Sequence, residues 1–394
     1  MRRYLWVIAF IGLASAFLLA AQQAQDTPAA QIARVEAAQS PSRQGLDPYT
    51  LRQLMERFHV PGVSIAVVRD YRVQWVKTYG TADVSTDAPV TPETCFQAAS
   101  ISKPVTAFAV MRTVQAGNLS LDEDVNRYLK SWKVPENEFT RERPVTLRSL
   151  LSHTSGTGDG FGFPGYAPTA DRPTLTQILD SKPPSNVGPV FWERAPFTGY
   201  KYSGGGIVIV QLVLQDIYGK PFHEIMRQIV LEPVGMSNST YEQPLPAEAD
   251  RNAARAHSAS GKAMDAKWHV YPEQAAAGLW TTPTDLAKLG IELQKALRGE
   301  SKLLSRTWAL EMVAPTGTGP FAIGFSIERR GEGWYFMHGG GNWGFRCDLL
   351  MHRLKGYGVA VMTNSDSGGG ILSEIEARVA AAASWDSLDK PIPR

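Results

Sequence analysis

Ser100-Ile101-Ser102-Lys103 places a hydroxyl and an amine three residues apart, a pair able to attack a carbonyl carbon. On a helix, positions i and i+3 share a face, so Lys103 would reach the Ser100 hydroxyl. A helix has to begin close to Ser100, because Pro104 is tolerated only in a first turn, where backbone N–H groups have no partner to lose. The positive end of that helix, together with burial, favours the uncharged amine that a general base needs. Exposed N–H groups in the same turn could hold an oxyanion. The spacing by itself is a weak signal: Ser387 to Lys390 also satisfies it, in a Pro-rich tail with no helix to organise it. Taken alone, a surface lysine beside a capping serine accounts for the first pair equally well.

Two further segments carry usable groups. Tyr202-Ser203-Gly204 precedes two more glycines and an expected helix from Ile207 to Tyr218. A tyrosine beside such a loop can present its hydroxyl to a cleft and move a proton next to a lysine; a core tyrosine is the plainer reading. His338-Gly339-Gly340-Gly341 stands at the end of an expected strand, where glycines permit close approach of backbone or ligand. A tight β-turn is the plainer reading there.

The elements that must position these groups follow from pattern. A helix is expected over Asp47 to Phe58, capped by Asp47, then a hairpin of Val63 to Val68 and Val73 to Tyr79. Val105 to Gln115 is apolar all round and reads as a buried helix. From Asn118 to about Ala263 short helical patterns alternate with Gly/Pro loops, the longest running from Gly156 to Pro173. Asp285 to Leu297 reads as a helix. Phe321 to Arg329, Gly333 to His338, Phe345 to His352 and Tyr357 to Thr363 read as strands, and Leu372 to Ala383 as a last helix. This order predicts an α+β fold: an antiparallel sheet flanked by helices, built from residues 46–120 and 264–394, with a mostly helical second lobe over 121–263. A cleft between such lobes is a preferred ligand site.

The chain has 394 residues, 40 basic against 38 acidic, and its hydrophobic, charged and aromatic fractions (43%, 20% and 10%) are those of a globular protein. Residues 1–24 read as a signal peptide, with Arg2 and Arg3 before an apolar run from Leu5 to Ala20 and small residues after it; an uncleaved anchor is the alternative. Residues 25–45, rich in Ala, Gln, Pro and Ser, read as a flexible linker. Without Arg2 and Arg3 the charges balance at 38 to 38, which leaves no electrostatic reason to bind nucleic acid or an anionic membrane. The expected location is periplasmic or secreted, with membrane contact only through an uncleaved N-terminal segment. Cys95 and Cys347 read as separate thiols, and neither they nor His257 and His269 show metal spacing, so no cofactor is expected. No G-x-S-x-G elbow occurs, which argues against an α/β-hydrolase.

In the order S-x-x-K, Tyr-Ser-x, His-Gly-Gly, the three motifs resemble those of the β-lactamase-related serine hydrolases, which include class C β-lactamases, low-molecular-weight penicillin-binding proteins, D-alanyl-D-alanine carboxypeptidases and related esterases. Leu150 to Gly156, Pro233 to Met236, Gly278-Leu279, Thr282 to Leu286 and Asn364 extend the resemblance from about Leu46 to the final helix. It implies a β-lactamase/transpeptidase-like fold, with Ser100 as nucleophile, Lys103 as base and Tyr202 as the second proton-handling group. It also implies an oxyanion hole from the N–H groups of Ser100 and Gly341, and His338, Gly339 and Gly340 beside substrate. His153 would be a hydrogen-bonder behind the site. Two departures matter. Gly204 replaces the asparagine of Tyr-x-Asn, and His338 stands where the β-lactamases usually carry a lysine, mostly neutral at pH 7 unless perturbed. Both weaken the case for a substrate carboxylate and favour a small ester, amide or peptide substrate of a less charged acid. A cell-wall carboxypeptidase or β-lactamase is the alternative, and a catalytically inactive binding module on the same scaffold is a third reading. Phe161, Phe163, Tyr166 and Trp343 could line an apolar pocket.

Overall fold

The computed structural model describes residues 27–39, 45–158, 162–331 and 333–385. The expected signal peptide, Phe161 and the Ser387 to Lys390 match lie outside them.

A seven-stranded antiparallel sheet forms the frame. Its strands are β1 (Gly62–Arg69), β2 (Arg72–Asp83), β3 (Ala88–Pro89), β4 (Ser326–Arg330), β5 (Gly333–Asn342), β6 (Phe345–His352) and β7 (Gly358–Thr363), in the order β3-β2-β1-β7-β6-β5-β4. Both faces are covered, so β1 is buried from Gly62 to Val68, Ser64 included. Val63, Ile65 and Val67 face one core, while Ala66 and Val68 face the other, as the two-residue period of a strand requires. The first core is closed by helices α1 (Pro28–Glu36), α2 (Leu51–Arg57) and, at the end of the chain, Gly369–Ala382. On the opposite face lie α3 (Ser102–Gln115), α4 (Leu147–Leu151), α5 (Leu175–Asp180), α6 (Gly204–Tyr218), α7 (Gln274–Ala277) and α8 (Pro283–Arg298). The Gly369–Ala382 helix is α9. Among the described residues no helix is long and apolar enough to cross a membrane.

Four expectations need correction. Residues 28–36 of the expected flexible linker form α1, with Gln31 and Val35 one turn apart and both buried. Gln31 accepts the Trp75 indole N–H at 2.9 Å, and Arg378 of α9 donates to the carbonyls of Ala37 (3.0 Å) and Tyr49 (2.8 Å). The Gln/Ala composition concealed this amphipathic spacing. The next helix starts at Leu51, not Asp47, because Thr50 and Gln53 make a reciprocal capping box. The expected strand from Phe321 begins only at Ser326, since Ala322 to Phe325 is a tight turn. Gly324 has φ +83°, and a Cβ there would lie 2.5 Å from the Ala107 Cβ on α3, so only glycine fits. Finally, β5 does not stop at His338 but runs through the three glycines to Asn342, paired with β6 along its length.

Candidate active site

The start of α3 is held rigidly before any chemistry is considered. Residues 99–101 form a 3₁₀ turn leading into α3. The Ser102 hydroxyl donates to the Ala99 carbonyl (2.6 Å) and accepts the Leu279 N–H (3.0 Å), while Tyr241 donates to the Ser102 carbonyl (2.9 Å). Ala99 has φ 48°, a left-handed conformation that a residue with a Cβ adopts only when its surroundings enforce it. Ser100 is half-buried at this point.

Lys103 is 1% exposed, and its ammonium nitrogen lies 3.0 Å from Ser100 Oγ and 2.9 Å from the Ala276 carbonyl on α7. The same nitrogen sits 5.1 Å from the centre of the Tyr202 ring. Ser100 also hydrogen-bonds to the Tyr202 hydroxyl. Burial raises the Tyr202 phenol well above its ordinary range, and the Ser100 hydrogen bond opposes that rise only in part. Tyr202 is presented by the loop before α6, whose N-terminus Ser203 caps by accepting the Gly206 N–H at 2.8 Å. Behind it, His153 Nδ1 accepts the Ser203 N–H at 3.2 Å and its ring lies 4.2 Å from that of Tyr202. Burial holds the His153 imidazole well below its usual pKa, helped by Lys103 and His338, so it stays neutral.

On the facing side, β4 pairs with β5 only as far as Met337, so from His338 onward the outer edge of β5 has no strand beside it among the described residues and lies against the 99–101 turn. The glycines are not equivalent. A Cβ at Gly340 would fall 2.3 Å from the Ala98 carbonyl oxygen and 2.5 Å from Cys347 Sγ, whereas one at Gly339 would meet nothing nearer than 3.9 Å and one at Gly341 nothing nearer than 3.5 Å. Gly340 alone sets the close approach of β5 to the Ser100 turn. Asn342 fastens the strand from the other end, donating to the Gln97 side chain (2.9 Å) and the Ala277 carbonyl (3.0 Å).

His338 is 4% exposed, with Nδ1 2.6 Å from the Gly339 carbonyl. Burial, then the nearby Lys103, push its pKa down to about 3. It is therefore a neutral ring at physiological pH. The structure thus brings Ser100, Lys103, Tyr202 and the His338 to Gly341 segment together.

Sequence reasoning missed two participants, and a buried acid beside α7. Phe321 stands edge-on to His153 (4.8 Å), Tyr202 (5.7 Å) and His338 (5.5 Å) and stacks on Tyr200 (5.9 Å). It was hidden inside an expected strand. The Ala276 carbonyl is backbone, which any residue supplies. Glu273, immediately before α7, is fully buried and neither carboxylate oxygen has a hydrogen-bond partner among the described residues; burial raises its pKa to about 7. A lone glutamate in a loop carries no signal of that placement.

Of the aromatic loop residues, Phe163 lines a small cavity that Gly205 of α6 also borders. Tyr166 instead accepts the Asn186 N–H through its hydroxyl, and Trp343 stacks on His269 at 3.9 Å. Cys347 is buried behind Gly340 and Cys95 is half-buried; both are free thiols. Among the described residues no group of three or more His, Cys, Asp or Glu is arranged to hold a metal ion.

A family model described as Beta-lactamase matches residues 50–384. Protein flp of Staphylococcus aureus (strain MW2) is 25% identical over 329 residues, covering 79% of this chain and 61% of that protein. Esterase EstB of Burkholderia gladioli is 29% identical over 218 residues, 54% of each chain. The chain thus spans 54 to 61% of the length of these curated relatives. The D-amino acid amidase of Ochrobactrum anthropi SV3, solved with L-phenylalanine, superposes with a TM-score of 0.67 at 23% identity, covering 84% of this chain and 95% of that one. At that identity the likeness concerns the fold: an antiparallel sheet flanked by helices.

Proposed function

The chain belongs to the beta-lactamase family, and on that premise we propose that it is an exported serine hydrolase that cleaves an ester or amide through an acyl-enzyme on Ser100. One observation carries the reading: the buried Lys103 nitrogen 3.0 Å from Ser100 Oγ, with the Tyr202 hydroxyl on the same oxygen. In its neutral form Lys103 takes the Ser100 proton as Oγ bonds to the substrate carbonyl carbon. The N–H groups of Ser100 and Gly341 receive the developing oxyanion, a role supported by the closeness of β5 to the Ser100 turn. As the intermediate collapses, the C–O or C–N bond breaks and the leaving group takes up the proton through Tyr202. A water molecule then releases the acid by the reverse sequence.

An ester or amide of an uncharged acid is the class the site favours. A neutral, buried His338 offers a substrate carboxylate no cation, which argues against the carboxypeptidase and narrow β-lactamase readings. The names of two similar proteins, an esterase and a D-amino acid amidase, fit cleavage of an ester or amide. The export reading rests on the Arg2-Arg3 and Leu5 to Ala20 pattern.

Labelling by a fluorophosphonate tests the nucleophile: wild type should label and Ser100→Ala should not, and equal labelling of the two would overturn the assignment. Lys103→Ala should slow acylation by roughly two to four orders of magnitude; near-normal turnover would remove Lys103 from the mechanism. Intact-mass measurement with a penicillin, a D-Ala-D-Ala peptide and p-nitrophenyl esters in parallel identifies the class, with turnover expected on the esters.

A further inference from the structure

The carbonyl that accepts from Lys103 belongs to α7, a single turn from Gln274 to Ala277 whose last three residues are alanine. A turn that short is not stable by itself, and no side chain of its own larger than a methyl anchors the 276 carbonyl. It is held from outside. The last carbonyls of a helix have no partner within it, and here each accepts from a side chain of another segment. Ala275 accepts from Thr106 of α3 (3.3 Å), Ala276 from Lys103 (2.9 Å), Ala277 from Asn342 of β5 (3.0 Å) and Gly278 from Gln243 (2.8 Å). The lysine shares one turn with three other donors, so the place of its acceptor depends on them.

The start of the turn is held in the same way. Glu273, at its N-terminus, makes no side-chain cap. Gln211 of α6 supplies the missing acceptor: its Oε1 takes the Ala275 N–H at 2.9 Å, while Nε2 donates to the Pro272 carbonyl (3.1 Å) and to Gln274 Oε1 (3.4 Å). Gln211 and Thr106 are both buried. Between them they hold Ala275 by its N–H and its C=O, and the next carbonyl along the chain is the lysine's acceptor. Gln211 stands on the helix that Tyr202 leads into, and Thr106 stands one turn after Lys103. Both proton-handling groups are therefore tied to that acceptor through one residue.

Resting on the acyl-enzyme reading above, we propose that Gln211 and Thr106 are positioning residues for acylation: by gripping Ala275 they aim the Ala276 carbonyl at Lys103. That carbonyl keeps the amine on Ser100 Oγ and supports the ammonium that forms when Lys103 takes the proton, because an acceptor favours the charged form. Releasing Ala275 has two consequences. The amine is held less well against Ser100, and its neutral form is reached at lower pH. Three other titratable groups face this amine, and Tyr202, held above its ordinary range, and His153 and His338, held below theirs, keep one charge state between about pH 6 and pH 10. Glu273, immediately before α7, does titrate, near pH 7. A Glu273→Gln chain therefore serves as the parent for every comparison.

The test is the second-order rate of Ser100 labelling by a fluorophosphonate, followed as a function of pH. Gln211→Met removes the amide at similar side-chain length. It should lower the plateau rate by roughly ten- to a hundred-fold and move the acidic limb of the profile down by about one pH unit, the worth of one hydrogen bond to a charged group. Thr106→Val should move both in the same sense. Gln215→Met, one turn further along α6, is the control: its Oε1 is buried with no hydrogen-bond partner among the described residues, so rate and limb should stay at the parent's values. A variant that is merely destabilised loses labelling at every pH with the limb in place. An unmoved limb in Gln211→Met, or an equal displacement in Gln215→Met, would overturn the proposal. Should Gln211→Met fail to fold, an unmoved limb in Thr106→Val would do the same. The two levels stay separable: a chain that labels normally while the limbs stay put removes the positioning role alone, whereas a chain that never labels removes the reading beneath it.

Discussion

Replacing Gly340 by alanine adds one methyl group where β5 passes the nucleophile turn, and the neighbouring Gly339 supplies its own control. The added Cβ at position 340 would sit 2.3 Å from the Ala98 carbonyl oxygen, 2.5 Å from Cys347 Sγ and 3.2 Å from the Ala99 Cβ. Two of these neighbours belong to the backbone-anchored turn that carries Ser100, so relief has to come from the strand. Restoring ordinary contact moves β5 by about 1 Å, and a displacement of that size between a nucleophile and its oxyanion donors costs on the order of 100-fold in rate. Overpacking of this kind also destabilises by about 1–3 kcal/mol. At Gly339 the same methyl group meets nothing nearer than 3.9 Å, and its φ is not left-handed, so Gly339→Ala should leave stability within about 1 kcal/mol of wild type. The assay is ester turnover and urea unfolding of both variants, with fluorophosphonate labelling to report the nucleophile itself. Gly340→Ala should lose stability and turnover and label slowly, and Gly339→Ala should keep the stability and the labelling rate of wild type. If the two variants behave alike, the argument that Gly340 sets the distance between β5 and Ser100 is wrong.

Glu273 links stability to pH. Its carboxyl carries a pKa of about 7 in the folded protein against an ordinary 4.5, so between those values the folded chain holds a proton that the unfolded chain releases. Its contribution is complete below pH 4.5 and is lost as pH rises through 7, amounting to as much as about 3 kcal/mol. Relative to wild type, Glu273→Gln should therefore gain stability between pH 4.5 and pH 8 in urea titrations, and a constant difference would refute the burial argument. His338 works in the opposite sense: its pKa of about 3, against 6.5, means that the folded protein refuses a proton the unfolded chain accepts. His338→Asn should flatten the loss of stability as pH falls from 6.5 toward 3, by up to about 1.4 kcal/mol per pH unit; an unchanged slope would count against a buried neutral imidazole. Arg378, fully buried with Glu374 and bonded to the carbonyls of Ala37 and Tyr49, ties α9 to the N-terminal segment. Arg378→Met should cost about 3–5 kcal/mol and open α1 to limited proteolysis, whereas a stable, resistant variant would show that the N-terminal segment holds without it.

What could be read from the chain was local. Proline at 104 fixes where a helix can begin, and a helix fixes that residues three apart meet, so Ser100 and Lys103 were legible as a pair before any coordinates. The alternating strands and the apolar helix behind them were legible for the same reason: periods of 2 and 3.6 are written residue by residue. Even α1 was written that way, in Gln31 and Val35, but composition outweighed spacing. The tertiary structure decided whatever depends on segments far apart in sequence. Tyr202 reaches Ser100 across about a hundred residues, and the lysine's second acceptor is a carbonyl at position 276. His338 is a neutral ring because the fold buries it near Lys103, and Gly340 has no room for a Cβ where Gly339 has, because the Ala98 carbonyl faces it. A side chain's pKa and the room available to a methyl group are properties of surroundings, and surroundings exist only once the chain has closed on itself.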